Sequence, residues 1–223
     1  PSFSGQFKGN GHTISDLTIT GQYSPAGLFG IVEEQGSIES LSVRGIVSVS
    51  DSADTTTGGI VGVNHGTLIN CQFTGVVTGG IVGRNESEGT IDHGTARAIV
   101  TGKSSTGGIA GYNLGAITGC TNVGSINTEY QEASLDTDGF TAKMVDQINN
   151  KMAAADNDAT NSVTNVATDT GGIAGRSSGM ILTSVNTGTI GYEHVGYNVG
   201  GIVGRTDGLV SGCVNQGCVL GRK

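Results

Sequence analysis

Apolar residues in this chain come in short aliphatic pieces bounded by glycines, and the pieces recur in a fixed order. The first piece is written six times: AGLFG at 26–30, GGIVG at 58–62, 79–83 and 200–204, and GGIAG at 107–111 and 171–175. In five of the copies the frame is Gly-Gly-Ile-x-Gly: Gly58, Gly59, Ile60 and Gly62, repeated as Gly79, Gly80, Ile81 and Gly83, then Gly107, Gly108, Ile109 and Gly111. Gly171, Gly172, Ile173 and Gly175 follow, and Gly200, Gly201, Ile202 and Gly204 close the series. A second piece starts at Gly36, Gly66, Gly89, Gly115, Gly179 and Gly208. It places Ile38, Leu68, Ile91, Ile117, Ile181 and Val210 two residues on, and Val47, Val77, Val100, Ile126, Ile190 and Val219 eleven residues on. Both columns stay aliphatic in all six copies. A partial copy precedes them, because Ile14, Leu17, Ile19 and Gly21 share the spacing of Ile38, Leu41, Val43 and Gly45. This gives about seven turns of one design.

Successive starts of the first piece lie 32, 21, 28, 64 and 29 residues apart. Removing one excursion from the long interval restores a period of roughly 20–30 residues, the mark of a solenoid. Three apolar pieces per repeat suit three short strands and three corners. The expected fold is all-β: a parallel β-solenoid, a right-handed β-helix of about seven coils, forming one domain over 1–223. Gly pairs are expected to supply corners of positive φ and close approach between coils. Ile60, Ile81, Ile109, Ile173 and Ile202 should stack inside. Strands about 4.8 Å apart make seven coils about 34 Å long.

The pattern breaks at about 129–168. There Phe140, Met144, Val145, Ile148 and Met152 follow a 3.6-residue period with Asp138 at the N-cap position, which predicts one amphipathic helix within 138–158, looped out of the solenoid.

Composition sharpens this picture. Glycine makes up 40 of 223 residues, more than twice the usual share of about 7%, with no three-residue period and only two prolines, which excludes collagen. With no Trp and few aromatic residues, the core must be built from Ile, Val, Leu and Ala. Eight of the acids and two lysines fall between Glu129 and Asp169, so the excursion carries most of the net charge of -8. No basic stripe supports nucleic-acid binding or an anionic membrane, and no apolar run suits a transmembrane helix. The chain opens at PSFSGQF and closes at VLGRK, which reads as a piece of a longer protein whose flanking domains are neighbours of the solenoid.

The stretches GGIVGVNHGTLINCQFTGVV, GGIAGYNLGAITGCTNVGSI and GGIVGRTDGLVSGCVNQGCV resemble the GLUG motif, named for its Gly-Leu/Ile-hydrophobic-Gly core. The opening FSGQFKGNGHTISDLTI is similar to the coil that often precedes such repeats in bacterial surface proteins. The resemblance implies a secreted or wall-attached bacterial protein, of the kind that includes adhesin-like proteins and the non-catalytic regions of immunoglobulin-A-cleaving zinc metalloproteases. It brings no catalytic residues, because the motif's glycines and aliphatics are structural.

Candidate chemistry is sparse. GRSSG at 175–179 matches the Gly-x-Ser-x-Gly elbow of hydrolases, but Ser177 falls where other copies read GVNHG, GYNLG and GRTDG, a variable turn with no helix after it. His12, His65, His93 and His194 share no metal-ligand spacing. Cys71, Cys120 and Cys213 occupy one column in alternate coils, roughly 9–10 Å apart and beyond disulfide reach. Together with Cys218 they are expected to be free, buried thiols. Asn122, Asn186 and Asn215 share a column that suits a hydrogen-bonded ladder better than a glycan-binding row. Asp136–Asp138 and Asp156–Asp158 could chelate Ca²⁺, yet neither completes an EF-hand loop. Solvated loop charge is the simpler reading, and no cofactor is expected. Arg84, Arg176 and Arg205 share an offset just after the first piece, a basic column interrupted by Val63 and Tyr112, along which an anionic glycan could lie.

The leading reading is a non-catalytic stalk or adhesin segment of an extracellular surface protein. A carbohydrate-binding module recognising host or polymer glycans, or extracellular proteins, is the alternative. A carbohydrate-active β-helix enzyme comes third, because carboxylates rarely recur at matching offsets.

Overall fold

The structure, a computed structural model, describes residues 2–22, 24–49, 56–128, 168–191 and 197–221. Every described element is a strand, and every strand pairing is parallel. The chain is a parallel β-solenoid. The helix expected within 138–158 lies outside the described residues, as does nearly all of the acidic excursion.

Three sheets run the length of the solenoid. The first stacks Ser2–Phe3, Phe29–Val32, Val61–Asn64, Val82–Asn85, Ala110–Asn113, Ala174–Ser177 and Val203–Thr206, one strand from each of seven coils. The second stacks Gln6–Lys8, Ser37–Glu39, Thr67–Ile69, Thr90–Asp92, Ala116–Thr118, Met180–Leu182 and Leu209–Ser211 in the same way. The third starts as single strands, Thr13–Gly21, Ser42–Val49, Gln72–Val77 and Thr95–Val100, and continues in the last three coils as split pairs such as Thr121–Asn122 and Ser125–Ile126. The split has a local cause. Coils two to four carry Val43, Phe73 and Ala96 at the position that becomes Asn122, Asn186 and Asn215. Each Asn side chain bonds backbone two residues on: Gly124 N donates to Asn122 Oδ1, and Asn186 Nδ2 donates to Gly188 O. This Asx geometry bends the chain out of the strand.

The aliphatic columns read from sequence are in register. Ile38, Leu68, Ile91, Ile117, Ile181 and Val210 follow one another across the second sheet. Val47, Val77, Val100, Ile126, Ile190 and Val219 do so across the third. Ile60, Ile81, Ile109 and Ile173 are buried and Ile202 is half-buried in the last coil. Each fully buried side chain of this size contributes roughly 2 kcal/mol.

Three expectations need correction. In the first coil the partial copy is out of step. Phe7, not Ile14, sits on Ile38, while Ile14 sits on Val43 and Ile19 on Val47. One extra residue between Ile14 and Leu17 forms a bulge, with Asp16 at φ 61°, and it shifts the spacing. The coils are also not uniformly three-stranded, because Ser104–Gly107, Thr168–Gly171 and Tyr197–Gly200 form a fourth short sheet in the last three coils.

The glycines, finally, serve close approach more than corner geometry. Of the glycines in the GGI blocks, only Gly79 and Gly80 have positive φ. In four of the five pairs the second glycine instead faces a large side chain, and Gly80 faces the backbone of Gly107 and Ile109 in the next coil. A Cβ on Gly59 would lie 2.4 Å from the Phe73 ring, and on Gly108, Gly172 and Gly201 it would lie 2.4–2.5 Å from the amide groups of Asn122, Asn186 and Asn215. The left-handed corner lies elsewhere, between the second and third sheets. Ser40, Asn70, His93, Gly119, Thr183 and Gly212 all hold φ between 47° and 63° there, and only two of them are glycine.

Candidate functional site

The outward face of the first sheet carries the arginine column. In Val82–Asn85, Asn85 is buried while Arg84 beside it is half-exposed, since adjacent strand residues point to opposite faces. Register places Val63, Arg84, Tyr112, Arg176 and Arg205 on successive coils. Tyr112 does not interrupt the basic column. The Arg84 guanidinium carbon lies 5.0 Å from the Tyr112 ring centroid and that of Arg176 lies 5.4 Å from it, so one ring is held between two cations. Such pairs are favourable and hold both guanidiniums upright on the sheet.

Two carboxylates border the row. Arg84 Nε donates to Glu86 Oε1 at 2.5 Å. A hydrogen bond from Ser178 holds the Asp207 carboxyl below its usual range, and the charges of Arg176 and Arg205 add to this. Ser178 Oγ also lies 3.4 Å from the Tyr112 hydroxyl. Among the described residues, neither Arg176 nor Arg205 closes an ion pair or a hydrogen bond.

Behind the arginines, on the inward side of the same strands, runs an amide row that the sequence did not reveal. Asn64 Nδ2 donates to Asn85 Oδ1 and Asn85 Nδ2 to Asn113 Oδ1, both at 2.8 Å. Asn113 Nδ2 then donates to Ser177 Oγ at 3.1 Å. All four residues are fully buried. Ser177 is therefore no variable turn residue: it ends a strand and terminates a buried ladder, and its hydroxyl does not reach solvent. A recurring Asn six residues after the block's first glycine, in GGIVGVN, GGIVGRN and GGIAGYN, was the available signal.

The expected Asn122, Asn186 and Asn215 column is a ladder of the same kind, with Nδ2-to-Oδ1 bonds of 2.7 Å at both steps. Asn122 and Asn186 are fully buried and only Asn215, in the last coil, is exposed, so the row offers no continuous face to a glycan. The thiols are free. Cys71, Cys120 and Cys213 share their column as expected, each Sγ donating to carbonyls beside it, such as Ile38 O, Ile91 O and Ile181 O. Burial pushes the Cys120 thiol up to about 12 and raises Cys71 as well. The expectation of buried thiols fails for Cys218, which is exposed, and holds only partly for Cys213.

His65 lies 3.9 Å from Glu88 and His93 lies 2.9 Å from Asp92. His93 is a corner residue at φ 53°. His194, Asp136–Asp138 and Asp156–Asp158 lie outside the described residues. No group of three His, Cys, Asp or Glu able to hold a metal occurs among the described residues.

No protein-family model matches the chain, and no solved structure matches it. Over 101 residues, 43% of the chain, the sequence is 34% identical to halomucin from Haloquadratum walsbyi. That stretch amounts to 1% of halomucin, so the chain spans a very small part of the relative it matches.

Proposed function

We propose that this chain is a non-catalytic structural module, a rigid spacer or adhesin segment within an extracellular surface protein. The observation that carries the reading is the continuity of stacking: seven coils share three sheets, and the recurrent residues go into holding coil to coil. The central serine of the hydrolase-like motif in the sequence, Ser177, is a buried ladder residue. Likeness to halomucin, whose name marks it as mucin-like, supports a place at the cell surface, and so does the GLUG-like writing of the repeats. A recognition role is the second reading, favoured by the ordered Arg and Tyr row.

Rigidity is directly measurable. Glu39 and Ser211 occupy the same second-sheet row five coils apart. Spin labels on E39C and S211C, in a Cys218→Ser background that removes the exposed native thiol, should give one narrow distance centred near about 24 Å, within label reach. A broad distribution would remove the spacer reading. Turnover of ester or glycoside substrates, abolished by a substitution in the chain, would remove the non-catalytic one.

A further inference from the structure

We propose that the row Arg84, Tyr112, Arg176 and Arg205 is a binding track for a linear anionic polysaccharide, gripping its carboxylate or sulfate groups along the solenoid axis. This goes beyond the spacer reading, which stands whether or not the track binds.

Each row member sits on the coil after the last, so cations are offered at about 4.8 Å between Arg176 and Arg205 and about 9.6 Å between Arg84 and Arg176. A guanidinium carries five N–H donors in a planar fork suited to oxyanions. Arg84 uses its Nε on Glu86, whereas Arg176 and Arg205 have no hydrogen-bonded partner among the described residues. Arg84 and Arg176 are ordered before any ligand arrives, because Tyr112 is held between them. That ordering lowers the entropy cost of binding.

The same geometry selects among polyanions. Both faces of the Tyr112 ring are covered by guanidiniums, so the row has no free aromatic face on which a base could stack, and base stacking is what single-stranded nucleic acid requires. Glu86 and Asp207 flank the row and narrow it to a single file of cations. A polyanion with charges spaced along one edge fits such a file. An acidic strand, whose same-face side chains recur about 6.6 Å apart, is out of step with it.

The test uses the chain with immobilised polygalacturonate and dextran sulfate as probes, and neutral dextran, poly-glutamate and single-stranded DNA as comparators. Binding to at least one anionic polysaccharide should exceed binding to all three comparators and weaken as salt rises from about 0.01 M to about 1 M. Arg176→Ala and Arg205→Ala should each weaken binding about tenfold with an unchanged circular dichroism spectrum. Arg176→Lys should recover only part of the loss. Tyr112→Leu, which removes the ring between the guanidiniums, should weaken binding without removing a charge. The proposal is overturned if neither polysaccharide binds better than neutral dextran, if poly-glutamate or DNA binds as well, or if R176A/R205A binds like the parent.

Discussion

Cys120 shows how one buried atom sets a measurable property. Its thiol is fully buried, hydrogen-bonds Thr118 O and Ile91 O, and accepts the Gly94 amide. Burial raises its pKa from 9.0 to about 12, so the folded chain keeps the proton in a range where the unfolded chain has lost it. Stability from this group is fully present below pH 9 and is lost as pH rises from 9 towards 12. Thermal or urea unfolding should therefore show stability falling above pH 9, by up to about 1.4 kcal/mol per pH unit from this thiol. Cys120→Ser should lack that share of the slope. Ser is a fair replacement because Ser184 fills the same column one coil on, donating to Leu182 O at 2.9 Å. An unchanged alkaline slope in the Ser variant would contradict the account of burial. This column was legible in the sequence because its members are all small or apolar at one offset. Cys218 was misread because its offset carries Ile46, Val76 and Ile99 in earlier coils, apolar residues of which Ile46 and Ile99 are exposed.

At the scale of elements, what holds strand on strand is a division of labour between aliphatic columns and amide ladders. Asn186 accepts from Asn122, donates to Asn215, and closes its own turn through Gly188. Asn186→Ala would remove all of these at a site with no solvent. Leaving buried amide and backbone groups unpaired costs about 1–3 kcal/mol each. The expected loss is about 3 kcal/mol or more by chemical denaturation, against less than about 0.5 kcal/mol for Gln216→Ala at an exposed position one coil on. Equal effects would sink the ladder's role. The aliphatic strands were readable because every copy keeps the columns. The fourth sheet was not, because its strands read SSTG, TDTG and YNVG, polar pieces with neither alternation nor a common apolar position. The Asn64, Asn85 and Asn113 row escaped for a different reason: the residues lie next to the Gly corner and read as turn chemistry. They do serve the turn, since Asn64 Oδ1 accepts Gly66 N, but they also link coil to coil. Tyr112 was misread because a column compared by residue type does not show that a ring can sit between two guanidiniums.

For the whole molecule, the central claim is that coils separated widely in sequence stack directly and in register. The hardest case is the junction across the excursion, where Asn113 reaches Ser177 over 64 residues and Ala116 pairs with Met180. Both the rigid spacer and the arginine track depend on this junction, because Tyr112 and Arg176 meet only there. Cysteine pairs test it most directly, in a Cys218→Ser background that removes the exposed native thiol. Under mild oxidation A116C with M180C should cross-link readily, since neighbouring parallel strands bring Cα atoms to about 5 Å. A116C with L182C should not, since two residues of slip put them near 8 Å, beyond disulfide reach. Efficient bridging of the slipped pair, or of neither pair, would contradict the stacked solenoid.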